Sequence, residues 1–130
     1  MNKSEREELI KYRINRAFQT LKEVDILIEN KLWSTAINRL YYGCYYAVIA
    51  LLIKNQIAPQ THTGVRQMFG LHFIKTGKIP AELGKFYSDI YDKRQIGDYD
   101  DFIVIKEEDV IGLLPIAKDL VYTIDKLLGA

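Results

Sequence analysis

The sequence has one cysteine, three prolines, two histidines and almost no net charge. Each shortage excludes something. Cys44 alone cannot form an internal disulfide, so nothing points to an oxidising compartment and the expected location is cytoplasmic. Lys plus Arg number 18 and Asp plus Glu 17, a formal charge of +1. That excludes the strong basic excess of a protein held to nucleic acid by bulk charge. Two isolated histidines and one cysteine cannot build a zinc site. No Walker, Ser/His/Asp or dinucleotide-binding glycine pattern occurs, so no cofactor is expected. The polar opening Met1-Asn2-Lys3-Ser4-Glu5 is not that of a signal peptide. The longest uncharged run, Leu40 to Ile53, falls short of the roughly 20 residues that span a bilayer, so no membrane partner is expected.

What remains is a chain of 130 residues, enough for one domain with a single core. Few prolines and glycines favour long elements. Ser4-x-x-Glu7 reads as a capping box. Behind it Ile10, Ile14, Ala17, Leu21, Val24 and Ile28 recur at helical spacing, which predicts an amphipathic helix over Glu5–Glu29. Arg13 and Arg16 fall among the polar residues that mostly fill its opposite face. A second helix is expected from Trp33 to Asn55. It is apolar all round from Leu40 to Ile53, which predicts a central position buried on all sides. Cys44 lies in it as a small core residue. A short helix over Gly64–Phe73 follows, then a stop at Gly77 and a helix over Pro80–Ile96. Phe102–Ile105 is expected as an extended packed segment. Glu107-Glu108-Asp109 is expected to open a last helix, kinked at Pro115. The fold class is therefore all-α: an antiparallel up-down four-helix bundle with one extra short helix.

Nine tyrosines stand out, four of them (Tyr41, Tyr42, Tyr45, Tyr46) within six residues. Polar groups on faces that should be apolar mark the candidate site. Arg94 lies about 40° from Ile90 and about 20° from Leu83 around its helix, so it projects from the inward side. There it is either an ion-pair member with an aspartate of the following loop or a fixed fork for a phosphate. Arg39, Tyr42 and Tyr46 share one side of the second helix. They are either aromatic core with a terminal arginine or a stacking wall beside Arg94. His62 and Arg66 flank a helix start and suit an anion, although Thr61 there also reads as an ordinary cap. His72 has no obvious partner. Asp98, Asp100 and Asp101 do not match a calcium loop and suit a turn, so no metal is expected.

Three stretches carry a family resemblance. They are Ala36-Ile37-Asn38-Arg39-Leu40-Tyr41-Tyr42-Gly43-Cys44-Tyr45-Tyr46-Ala47, then Thr61-His62-Thr63-Gly64-Val65 with Phe69-Gly70 and Phe73-Ile74-Lys75-Thr76-Gly77, and finally Lys93-Arg94-Gln95-Ile96-Gly97-Asp98-Tyr99-Asp100. In this order they resemble HEPN (higher eukaryotes and prokaryotes nucleotide-binding) domains. The resemblance implies an antiparallel helical bundle, often a homodimer. It implies a partner, a minimal nucleotidyltransferase, in a two-component toxin–antitoxin-like pair. Many such proteins are metal-independent endoribonucleases, with an Arg, a polar residue and a His four to six residues further on. Arg94 and Gln95 match that motif. No histidine follows His72; Asp98 and Tyr99 occupy the stretch instead. An ionised Asp is a poor acid and Tyr with its ordinary pKa near 10 a poor base. In some such systems a tyrosine just beyond the motif receives a nucleotide, and Tyr99 stands near that place. The leading expectation is a protein that binds nucleotide or RNA phosphate through Arg94. Asp98, Tyr99, Arg39, Tyr42, Tyr46, His62 and Arg66 would lie around it. The alternatives are an endoribonuclease toxin, with Arg94 catalytic, and an interaction module without a ligand.

Overall fold

Asn2, not Ser4, starts the first helix. Its Oδ1 accepts from the Glu5 amide at 2.8 Å, and the Glu5 carboxylate takes the Asn2 amide at 3.3 Å. The capping box is thus present two residues earlier than expected, because Asn serves as well as Ser in that role. The computed structural model describes the backbone of residues 1–99 and 105–129, and the side chains of that set apart from 95–99. It contains helices α1 (Lys3–Glu29), α2 (Trp33–Lys54), α3 (His62–Phe69), α4 (Ala81–Tyr99) and α5 (Leu114–Gly129), and no strand among the described residues. The fold is all-α. The expected extended segment 102–105 lies outside the described residues except for Ile105, which is buried.

The apolar sequence of α2 dictates the architecture. Ala36, Leu40, Tyr41, Cys44, Ala47 and Val48 are fully buried, and α2 packs against α1, α3, α4 and α5. By length and composition α2 could also cross a membrane, with a mean hydropathy of 1.3. Yet 61% of that window is buried within the domain, as the centre of a bundle requires. Helices α1 and α2 turn back on each other through Asn30–Leu32, where Lys31 takes a φ of 58°. Gly43 lets them approach closely, since a Cβ there would stand 2.7 Å from Leu21 Cδ2. Helix α5 ends beside the end of α2: Lys54 Nζ donates to the carbonyls of Leu127 and Leu128 at 3.2 and 2.6 Å.

Other boundaries differ from expectation as well: α4 runs on to Tyr99 rather than ending at Ile96, so Gly97 does not stop it. The short helix begins at His62, because Thr61 is its cap and accepts the Gly64 amide at 2.9 Å. It then widens into a π turn over Gly70–Ile74, closed by Lys75 N to Gly70 O. At the far end Glu107–Asp109 form a separate 3-10 turn, and α5 starts at Leu114. Pro115 explains this. It has no amide for a bond to residue 111 and its ring crowds that carbonyl, so a helix opened at 107 is disfavoured there and the chain breaks instead. Pro115 therefore sits in the first turn of α5, where the missing donor costs nothing, and is not a kink. Gly77 takes a φ of 79°, the left-handed stop read from the sequence.

Candidate functional site

The inward face of α4 carries Leu83, Tyr87, Ile90 and Arg94 against the first half of α2. Arg94 is only 8% exposed. Its guanidinium carbon stands 5.0 Å from the Tyr41 ring centre and 5.8 Å from that of Tyr42. Helices α2 and α4 are therefore neighbours at this point. An always-charged, weakly hydrated guanidinium suits aromatic faces better than an ammonium would.

Tyr41 is the junction of the cluster. It is fully buried, and its phenol hydroxyl lies 2.8 Å from His62 Nδ1. The imidazole stacks on Tyr45 with ring centres 4.5 Å apart and meets the edge of Tyr42 at 5.8 Å. Arg94 and His62 thus press on the same two rings, those of Tyr41 and Tyr42. The imidazole is held below its ordinary pKa, first by burial and then by the positive charge of Arg94. Burial pushes the Tyr41, Tyr45 and Tyr87 phenols upward, so they stay protonated at neutral pH. Cys44 is fully buried and its thiol is likewise pushed up, which keeps it inert.

The other candidates fall around this junction. Arg39 lies 5.8 Å from the Tyr42 ring centre and pairs with Glu23 at 3.5 Å. Tyr42 and Tyr46 follow along α2 with centres 6.1 Å apart. Arg66 does not join His62 at the start of α3. It turns to α4, 4.4 Å from the Tyr91 ring centre and 3.6 Å from Asp92. Tyr91 in turn shares a hydroxyl contact of 2.8 Å with Thr63. The start of α3 is therefore closed by its Thr61 cap rather than gathered around an anion by Arg66. His72 is exposed. The side chains of Asp98 and Tyr99 lie outside the described residues, as does the expected ion pair of Arg94 with the following loop. Among the described residues, no group of three or more His, Cys, Asp or Glu gathers to hold a metal.

The sequence left several members of the cluster unassigned. Tyr41, Tyr45 and Tyr91 are among its rings. Arg13 and Arg16 reach it from α1, 6.0 and 5.4 Å from the Tyr46 ring centre. Their three-residue spacing was the available signal, but it reads equally well as a solvated face.

A HEPN domain model matches residues 10–127, nearly the whole chain. The chain belongs to the HEPN domain family. Individual proteins are similar to it over much of their length. A "UPF0332 protein" from Thermotoga maritima is 36% identical over 125 residues, which cover 96% of this chain and 95% of that one. "Putative toxin MJ0142" from Methanocaldococcus jannaschii is 38% identical over 101 residues, covering 78% of this chain and 69% of that one. The crystal structure of ST0689, an archaeal HEPN homologue, superposes with a TM-score of 0.73 over 92% of this chain and 97% of that one. At 14% identity that likeness shows the shared HEPN fold. In this HEPN domain the arginine of the Lys93-Arg94-Gln95 stretch stands over Tyr41 and Tyr42 of α2.

Proposed function

We propose that this HEPN domain binds the phosphate of a nucleotide or of RNA through Arg94. It does so as a homodimer, and as one half of a two-component toxin–antitoxin-like pair with a minimal nucleotidyltransferase. The observation that carries the reading is the position of Arg94. Burial beside Tyr41 and Tyr42 holds its planar fork in one place, and the neighbouring Tyr42 and His62 are only half-buried, so the cluster opens outward there. A fixed guanidinium suits bidentate capture of a phosphate, and the adjoining rings suit a base. Two Methanocaldococcus jannaschii relatives named as putative toxins support the pairing with a second protein. Calorimetry with ATP, GTP and short RNA tests the binding. Saturable heat that disappears in Arg94→Ala is expected. Its absence in the unaltered protein ends the proposal. Co-expression with the product of the adjacent gene, followed by purification, tests the pairing.

The second reading is a metal-independent endoribonuclease, and His62 favours it. The motif histidine is missing from α4, yet an imidazole from α3 stands on the same rings as Arg94. Its Nδ1 is engaged by Tyr41, which leaves Nε2 for a 2′-hydroxyl proton. This reading expects RNA cleavage in EDTA that falls at least about 100-fold in His62→Asn. RNA left intact after long incubation with the unaltered protein removes it.

A further inference from the structure

Six arginines occur in the chain: Arg6, Arg13, Arg16, Arg39, Arg66 and Arg94. All but Arg6 stand over tyrosine rings of one continuous face. Arg66 covers Tyr91, Arg94 covers Tyr41 and Tyr42, Arg39 also covers Tyr42, and Arg16 and Arg13 cover Tyr46, Arg13 lying as well 5.8 Å from the exposed Tyr12 ring of its own helix. Among the described residues the lysines do not share this placement; Lys78 stands over Phe73 instead. A chain with a formal charge of +1 has thus gathered its planar cations on one aromatic strip.

The two ends of the strip differ in how the charge is answered. Arg39 has Glu23 and Arg66 has Asp92. Among the described residues, neither Arg13 nor Arg16 has an ion pair. Both are half-exposed, as is Tyr46. Ion pairing therefore does not explain why these two arginines lie against the strip. A mononucleotide with its phosphate at Arg94 would leave them unused, because the rings of Tyr42 and Tyr46 stand between. A polymer would reach both.

We infer that Arg13, Arg16 and Tyr46 form a second subsite on α1 and α2, and that the strip from Arg94 to Tyr46 is a track for single-stranded RNA several nucleotides long. Bases stack on the tyrosine rings and guanidinium planes, while successive phosphates meet Arg94 and then Arg13 or Arg16. Stacking of this kind tolerates any sequence. The inference rests on phosphate binding at Arg94 and adds the polymeric nature of the ligand.

Calorimetry with ATP and with 2′-O-methyl oligoribonucleotides of three and six residues, which cannot be cleaved through a 2′-hydroxyl, separates the two claims. The hexamer is expected to bind at least about tenfold more tightly than the mononucleotide. Arg13→Gln and Arg16→Gln, folded by circular dichroism, should each remove most of that gain and leave ATP affinity unchanged. The slope of log affinity against log salt for the hexamer should flatten by about 0.7 for each phosphate no longer neutralised. ATP binding that persists with no gain for the hexamer overturns this inference alone. Absence of binding to either ligand removes the phosphate-binding proposal as well. Variants that split a dimer in sedimentation but leave hexamer affinity unchanged make the strip a protein interface, and that also overturns the inference.

Discussion

At residue 62 the chemistry turns on a neutral imidazole. Burial and the charge of Arg94 both lower its pKa, so the folded protein releases that proton more readily than the unfolded chain does. Below the ordinary histidine pKa of about 6.5 the unfolded state binds more protons, and stability falls as pH drops through this range. Above it the contribution is fully present. Thermal unfolding followed from pH 7.5 to 5 should show a declining midpoint, with a shallower decline in His62→Asn. NMR titration can follow His62 directly, because the sequence has only two histidines. The His62 resonance should titrate below the ordinary histidine value of about 6.5 and move upward in Arg94→Gln; an unmoved His62 would mean the two side chains are not electrostatically linked. The inward direction of Arg94 was legible because helical angle is a local property of spacing. The meeting of His62 with Arg94 was not. It depends on Tyr41, 21 residues away, and on how the loop before α3 returns to α2. Arg13 and Arg16 were hidden for a related reason. Long cationic side chains on a polar face reach sideways along a neighbour, which a helical wheel does not record.

At the scale of elements, the five helices could be read from their apolar period, while their ends depended on single residues. Thr61, Pro115 and Asn2 each moved a boundary by a specific backbone need. The π turn at Gly70–Ile74 had no visible signal, since its widened ring of hydrogen bonds leaves the apolar pattern almost unchanged. Its function is packing. Ile74 fills the space above Gly84 of α4, where a Cβ would stand 2.8 Å from Ile74 Cγ1 and 2.9 Å from both Cδ1 and Cγ2. The branched side chain has little freedom to move away. Overpacking here should cost about 1–3 kcal/mol, against a helix-propensity gain of about 1 kcal/mol for alanine. Gly84→Ala is therefore expected to lower stability in urea unfolding by up to about 2 kcal/mol. A stabilised variant would show that α4 and the π turn are not so closely apposed.

For the whole molecule, the total charge and its arrangement give different messages. The formal charge of +1 argued against extensive backbone binding, and at the level of the sum it still does. All the arginines but Arg6 nevertheless share one aromatic strip, a segregation that no composition can reveal because it requires α1, α2, α3 and α4 to be in place. The proposed pairing and dimer act at this scale. Sedimentation of the purified protein should give twice the mass of one chain, and a monomer at micromolar concentration would contradict that part of the proposal.

The apolar girth of α2 also bears on how the protein is made. From Leu40 to Ile53 the nascent chain presents no charge to discourage association with its neighbours, and it is rich in aromatic and branched residues of the kind that aggregate. The ribosome delivers α1 first. Its apolar stripe is complete before the first turn of α2 emerges, so the most hazardous segment meets its largest native neighbour as soon as the Asn30–Leu32 turn allows. Reversing that order, in a circular permutant that synthesises α1 last, should shift the product from the soluble fraction to inclusion bodies while leaving every native interaction available.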